Sequence, residues 1–278
     1  MLSHNAPYHD PFDLPALDRA LAGTPFAGNL RFYPAIHSTN TLAMQEADAE
    51  ASAGLVCFAD EQTAGRGRGG HSWQSPPGSG LYVSVLLRPK IAPADVLWLS
   101  LAAGLAIREA IRQVTAREVD LRWPNDLLFG PKKFCGILTE LNAEVTRVRH
   151  VVVGIGINVH QEHFPEDLSS QATSLYLETG KHWPRQEILI ALLNALHRET
   201  LALEAPSGLV GATQSILARL EQSSTWIRGK RVHVDEAGGY SGITAGLDPR
   251  GFLLVETADG LRTVLSGGVR ELFNPALE

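Results

Sequence analysis

The run GLVCFADEQTAGRGRGGHSW, residues 54–73, constrains the fold more than any other part of the chain. Its first half, GLVCFADEQ, is apolar enough to be a buried strand. Its second half has glycines at 65, 67, 69 and 70, arginines at 66 and 68, and one large aromatic, Trp73. A buried strand therefore delivers the chain into a loop of high mobility and positive charge. Glycines let the backbone approach a ligand closely and point successive N–H groups at one anion. On an extended segment Arg66 and Arg68 share a side and fork onto phosphate or carboxylate oxygens. The loop alone leaves three readings: an anion or nucleotide grip, an RNA-binding arginine–glycine box, and a slack surface connection.

Charge bears on that choice. The formal net charge is -6 with a pI near 5.9, whereas a chain that lives on nucleic acid needs a net basic face to release counterions. RNA-binding boxes also come as repeats in low-complexity tracts, and no repeat or low-complexity tract occurs here. With 278 residues the chain holds one large domain, or a large one with a small companion. Two cysteines, Cys57 and Cys135, each in an apolar run, make no disulfide framework and point to a reducing compartment. The opening MLSHNAPYHDPFDLP is no signal peptide, and no run reaches the about 18 apolar residues of a membrane span. The expectation is a cytoplasmic protein.

Residues 1–30 are rich in Pro, Ala and Gly and read as an arm, with no room for a helix-turn-helix module. LRFYPAI (30–36) reads as a strand, and the helix after it takes its N-cap from Ser38, Thr39 or Asn40. GLYVSVLLRP (80–89) is a strand stopped by Pro89. Leu97, Leu101, Leu105, Ala106 and Val114 recur at helical spacing between Asp95 and Ala116. Residues 119–129, 132–141 and 150–159 read as three successive strands. A polar connection (161–184) and helices at 185–205 and 208–221 follow. From Trp226, short strands separated by Gly and Asp turns predict a small β-barrel, which places a boundary between residues 223 and 224.

Several motifs each allow a structural reading beside a functional one. GIGIN (154–158) lacks the third glycine and following helix of a dinucleotide fingerprint, so close passage of one element over the strand competes with a site. RWPND (122–126) presents Asn125 and Asp126 from a rigid turn. Lys133, the last charge before an apolar strand, is either a solvated strand end or a reach toward an oxyanion. HSTN (37–40) offers two hydroxyls and an amide, of which a helix cap needs one. His160 and His163 have metal-like spacing without a full ligand set. No nucleophile–base arrangement is apparent.

The order of these motifs is more specific than any one of them. IHSTN, QTAGRGRGGHSW, SGLYVSVLLRP, RWPNDLL, KKFCGIL and VVVGIGINV, in that sequence, resemble the biotin protein ligases over residues 30–275. These are also called biotin–[acetyl-CoA-carboxylase] ligases or holocarboxylase synthetases. The resemblance implies an α+β fold: a mixed β-sheet flanked by helices, like class II aminoacyl-tRNA synthetases, over residues 31–223. An SH3-like barrel over 224–278 completes it. It also implies a two-step reaction through biotinyl-5′-adenylate, with ATP and biotin as substrates, Mg²⁺, and a biotin carboxyl carrier protein of acetyl-CoA carboxylase as acceptor. With no DNA-binding module, the chain is similar to members that are ligases only, not repressors. The sequence leaves the oligomeric state open, a homodimer included.

Carried over residue by residue, the resemblance implies that Ser38, Thr39, Asn40 and Gln62 line the biotin headgroup and its valeryl chain. Arg66, Gly67 and Arg68, with Gly65, meet the carboxylate and the adenylate phosphate. Lys133 lies against the reactive centre and shares the catalytic role with Arg68. Gly136 leaves the strand surface bare for biotin, and Trp73 is a wall or lid on the adenylate. Asn125 and Asp126 face the nucleotide or Mg²⁺, and Asn158 joins them. Residues 65–72 and part of 161–175 are expected to order when ligand binds. One position departs from the pattern. Many bacterial relatives read GRGRxGRxW, and His71 stands where they carry the last arginine. A lipoate ligase is the nearest alternative, and an RNA-binding module the non-enzymatic one.

Overall fold

The computed structural model describes residues 10–205, 209–236, 238–266 and 268–272. In chain order the elements are α1 (Leu14–Ala20), β1 (Leu30–Ile36), α2 (Thr39–Asp48), β2 (Val56–Gln62) and β3 (Gly80–Leu87). Then come α3 (Leu97–Thr115), β4 (Asp120–Arg122), β5 (Asp126–Phe129), β6 (Lys132–Ala143) and β7 (Val148–Asn158). Three helices follow, α4 (Leu175–Thr179), α5 (Arg185–Glu204) and α6 (Leu209–Ser223). The last strands are β8 (Arg228–Val234), β9 (Tyr240–Leu247), β10 (Leu253–Thr257), β11 (Gly260–Val264) and β12 (Val269–Glu271).

The first seven strands form one mixed sheet in the order β1-β2-β3-β7-β6-β5-β4, parallel only between β1 and β2. Side chains alternate across a pleated strand, and this alternation divides the sheet into two unequal faces. Val56 and Phe58, Val83 and Val85, and Val151, Val153, Ile155 and Ile157 all enter the larger core with α3 and α5. Between them Cys57, Leu86 and Val152 join a small cluster with Ala43 and Ala47 of α2. Beyond Val152, the α2 face of β7 carries Gly154 and Gly156 before the strand ends at Asn158. The sheet surface is bare at the place where α2 begins.

On the other face α3 lies close to β4, since a Cβ at Gly104 would stand 2.6 Å from Leu121. This close approach is why a glycine interrupts an otherwise apolar helix. Residues 1–9 of the expected arm lie outside the described residues, and residues 10–30 are more ordered than their composition suggests. Asp13 caps α1 by accepting from the Ala16 N–H at 3.0 Å, and Leu17, Leu21 and Phe26 are fully buried. Those three apolar residues are too few to show helical periodicity in the sequence. Arg185 at the start of α5 is 3% exposed and anchors this segment. Its guanidinium reaches Asp10 at 3.2 Å, Asp60 at 2.7 Å and the Gly80 carbonyl at 3.1 Å.

Residues 119–129 are two strands rather than one. Asn125 N–H bonds back to the Arg122 carbonyl at 3.2 Å, and the turn through Trp123 and Pro124 folds β5 antiparallel onto β4. Proline has no N–H for a sheet ladder, so the run breaks there. The polar connection contains α4, capped by Ser174. The C-terminal strands make a five-stranded antiparallel sheet, β11-β10-β9-β8-β12. Val232, Val234, Leu253, Val255, Val264 and Val269 are buried within it. Residues 273–278 of the expected C-terminal unit lie outside the described residues. Trp123 Nε1 donates to the Gly251 carbonyl at 2.9 Å, which joins the two sheets next to the RWPND turn.

Candidate active site

A cleft of about 440 Å³ opens over the bare surface, lined by residues of α2, β2, β6, β7 and the glycine–arginine loop. Its floor is a pair of glycines, Gly136 of β6 and Gly156 of β7, opposite each other in the ladder. Trp73 lies on this floor. A Cβ at Gly156 would stand 2.4 Å from its Nε1, and one at Gly136 would stand 3.1 Å from its ring. A side chain at Gly156 would push the indole off the sheet, and one at Gly136 would press against its edge. Trp73 Nε1 is itself buried without a hydrogen-bond partner.

One end of the cleft is neutral and polar. Ser38 Oγ caps α2 by accepting from the Thr41 N–H at 3.4 Å, so the helix itself uses this hydroxyl. Gln62 Oε1 accepts from the Thr39 N–H and hydroxyl at 2.9 and 3.0 Å. Gln62 Nε2 donates to Ser75 Oγ at 2.8 Å. The Ser84 hydroxyl donates to Asn40 Oδ1 and lies 2.8 Å from the Thr39 hydroxyl. Asn40 Nδ2 donates to Glu140 Oε2 at 2.9 Å. Buried polar groups tied together in this way hold fixed positions.

The other end is cationic, but the two arginines diverge. Gly67 N–H bonds to the His71 carbonyl at 2.7 Å, and residues 68–70 wind into a single 3-10 turn with Gly69 at φ 64°. Arg66 and Arg68 therefore do not lie on one extended segment. Arg66 makes a two-pronged ion pair with Glu140 at 2.8 and 3.1 Å. Arg68 Nη1 donates to Asn125 Oδ1 at 3.0 Å, and Nη2 to the Ser266 carbonyl of the C-terminal sheet at 3.2 Å. Burial pulls the Arg68 pKa below the usual arginine value, against the opposing field of Asp126.

Lys133 Nζ sits 5.3 Å from the Trp73 ring centre and 2.6 Å from Asp126 Oδ1. Arg122 holds Asp126 Oδ2 at 2.7 Å. Burial pushes the Asp126 carboxyl upward, but the Lys133 and Arg122 charges and their hydrogen bonds outweigh it and leave its pKa below the usual range. Both Asp126 oxygens thus lie against cations in this structure. No cluster of three or more metal-ligating side chains occurs among the described residues.

Most of the expected residues come together: Ser38, Thr39, Asn40, Gln62, Arg66, Gly67, Arg68, Trp73, Asn125, Lys133 and Gly136 all line the cleft. Others do not. Asn158 is 4% exposed, donates to the Thr173 carbonyl at 3.0 Å and accepts from Gln161 at 3.1 Å. It braces the start of the 161–184 connection. Gly65 serves the loop's own crossing, since a Cβ there would meet the Trp73 carbonyl. His71 is exposed and not part of the lining. The His160 ring nitrogens face the Gly78 and Trp183 carbonyls at 3.2 and 2.9 Å, a tie within the fold.

Ser84 and Glu140 were missed by sequence reasoning, whereas Gly154 belongs to the GIGIN run, whose close-passage reading the contact with Asn40 matches. Both missed residues carry a legible signal. Counting by two from Gly136 passes Leu138 and arrives at Glu140. Ser84 is the polar residue in the middle of the fully buried β3.

Comparison with known proteins gives two family matches. Residues 32–158 match the biotin/lipoate A/B protein ligase family, and residues 228–269 match the biotin protein ligase C terminal domain. The bifunctional ligase/repressor BirA of Bacillus subtilis is 34% identical over 87% of this chain and 73% of its own length. A biotin–[acetyl-CoA-carboxylase] ligase of Mycobacterium tuberculosis is 35% identical over 77% of each chain. Among solved structures, a biotin protein ligase from Aquifex aeolicus in complex with biotin and ATP superposes with a TM-score of 0.76. That pair shares 33% identity and covers 88% of this chain and 99% of the other. The cleft, both sheets and these relatives agree: the chain belongs to the biotin/lipoate A/B protein ligase family, among its biotin protein ligases.

Proposed function

We propose that this chain uses ATP to attach biotin to a lysine of a biotin carboxyl carrier domain, by way of biotinyl-5′-adenylate. The observation that carries this reading is the two-ended cleft over the Gly136–Gly156 floor. Its neutral end offers fixed donors and acceptors suited to a cyclic urea, the Trp73 indole on its glycine floor gives it a flat apolar wall, and its far end gathers cations.

In the first step a biotin carboxylate oxygen attacks the α-phosphorus of ATP. A P–O bond forms, and the bond to pyrophosphate breaks. Carboxylate and triphosphate repel each other, so fixed positive groups are needed to bring them into line. Arg68 and Lys133 supply that charge, Lys133 anchored by Asp126 and Arg68 by Asn125. Mg²⁺ enters with the triphosphate as part of the substrate. In the second step a lysine amine attacks the mixed-anhydride carbonyl, a C–N bond forms, and AMP leaves. The adenylate hydrolyses readily, so the loop carrying Arg66, Gly67 and Arg68 shields it from water until the carrier arrives.

The acceptor is the carrier domain of acetyl-CoA carboxylase, and the compartment is the cytoplasm, in keeping with the free buried Cys57 and Cys135. Among the described residues no helix is long and apolar enough to cross a membrane. A homodimer is part of this reading: beyond the β5 pairing, the outer edge of β6 has no neighbouring strand among the described residues. The test is pyrophosphate release and label transfer to a carrier domain, with biotin and lipoate compared. Transfer that needs biotin supports the reading, and transfer with lipoate alone replaces it.

A further inference from the structure

A continuous polar chain runs from the neutral end of the cleft to the glycine–arginine loop, and Glu140 is its middle link. Glu140 Oε2 accepts from Asn40 Nδ2 at 2.9 Å and from Arg66 Nη1 at 3.1 Å. Oε1 takes the second prong of Arg66 at 2.8 Å. Asn40 is 4% exposed and lies on Gly154, where no Cβ intervenes. Its other amide end accepts from Ser84, which lies against Thr39 and so against Gln62. Asn40 is thus one hydrogen bond away from the carboxylate that holds the loop arginine, and Thr39 and Gln62 join the same chain through Ser84.

We propose that Glu140 is a positioning residue that couples occupancy of the Thr39–Asn40 end of the cleft to closure of loop 65–72. The proposal rests on the biotin-ligase reading of the cleft. A headgroup donor to the remaining lone pair of Asn40 Oδ1 reinforces the orientation that Ser84 and the Leu138 carbonyl already give this amide. The fixed amide holds one carboxylate oxygen of Glu140, and the carboxylate then presents both oxygens to the Arg66 fork. Two-pronged pairing is the geometry that arginine and carboxylate favour. Linkage makes the effect reciprocal, so a closed loop raises headgroup affinity by the factor with which the headgroup favours closure. Glu140 touches neither phosphate nor carboxylate of the substrates in this scheme.

The experiment compares the wild type with Glu140→Gln, Arg66→Gln and the double variant. Glu140→Gln keeps length and an acceptor for Asn40 but removes the charge that pairs with Arg66. The readouts are KM for biotin, the dissociation rate of bound biotinyl-adenylate, and hydrogen exchange of residues 65–72 with and without biotin. Thermal unfolding without ligand is followed alongside. In Glu140→Gln, KM and adenylate dissociation are each expected to rise about tenfold, the scale of one charge-assisted hydrogen bond. Biotin is expected no longer to slow exchange in the loop, while the melting temperature without ligand stays that of the wild type. The double variant is expected to be no worse than either single one.

Biotin-dependent protection of the loop and wild-type adenylate retention in Glu140→Gln would overturn the coupling. So would losses that multiply in the double variant, or a lowered melting temperature with loop protection intact. A wild-type chain that binds biotin but releases no pyrophosphate would fail the ligase reading instead, and loop exchange alone would then decide the coupling. Failure of the wild type to bind biotin would overturn both.

Discussion

Gly154 and Asn40 are matched by shape: a Cβ on residue 154 would stand 2.0 Å from Asn40 Oδ1. The amide cannot retreat cheaply, because Ser84, Glu140 and the Leu138 carbonyl all bond to it. Gly154→Ala is therefore expected to displace Asn40 and raise KM for biotin about tenfold or more. Overpacking at a tight site costs about 1–3 kcal/mol, so the melting temperature should fall as well. Steady-state kinetics with varied biotin and a thermal scan check the two effects together.

The Asp126 cluster makes a pH prediction. Its pKa is depressed in the fold, so it contributes stability that is fully present above the unfolded carboxylate value of about 3.9. That contribution is lost as pH falls through the lower folded value. Asp126→Asn leaves Arg122 and Lys133 without their counter-charge. At neutral pH it is expected to cost about 2 kcal/mol, less than for fully buried pairs because both cations are partly exposed. The gap between variant and wild type should be constant from pH 7 to pH 5 and shrink below pH 4, as denaturant unfolding at each pH will show.

Arg68 ties the loop to the RWPND turn through Asn125 and to the C-terminal sheet through Ser266. Arg68→Gly removes both ties and a cation from the cleft. Biotinyl-adenylate is then expected to form and escape, and to label lysines on bystander proteins. The check is streptavidin blotting of a reaction containing an unrelated protein. A variant that labels only the carrier domain would remove Arg68 from the retaining role.

Arg185 gives a prediction about stability alone. It is buried between Asp10 and Asp60, remote from the cleft lining. Arg185→Met strands two carboxylates and should cost about 3–5 kcal/mol, read as a lower denaturation midpoint. KM for biotin at low temperature should remain that of the wild type.

The strands, the long helices and the order of the motifs are local properties, and the sequence carries them openly. Apolar runs of two-residue and helical period can bury one face only in a limited number of ways. The glycines of the loop likewise announce a tight turn, while residues 37–40, 62 and 66–68 became a site only through the order of the motifs and the resemblance it carries. What the sequence did not contain is partnership. Arg66 and Glu140 are far apart in the chain, as are Asn40 and Glu140, and no local pattern says which acid an arginine will find. The same holds for Asn158, whose amide looked available until the 161–184 connection folded against it, and for Asp126, whose oxygens were both claimed by cations.

The loop shows the division most clearly. GRGRGG states by composition that the backbone will be mobile and positively charged. Only the closed turn at Gly69 decided that Arg66 and Arg68 point to different partners. Composition by itself determined that a glycine-rich, positively charged loop follows a buried strand, because glycine and arginine have those properties anywhere. The tertiary structure alone decided what each arginine holds, because that depends on which strands the sheet brings beside the loop.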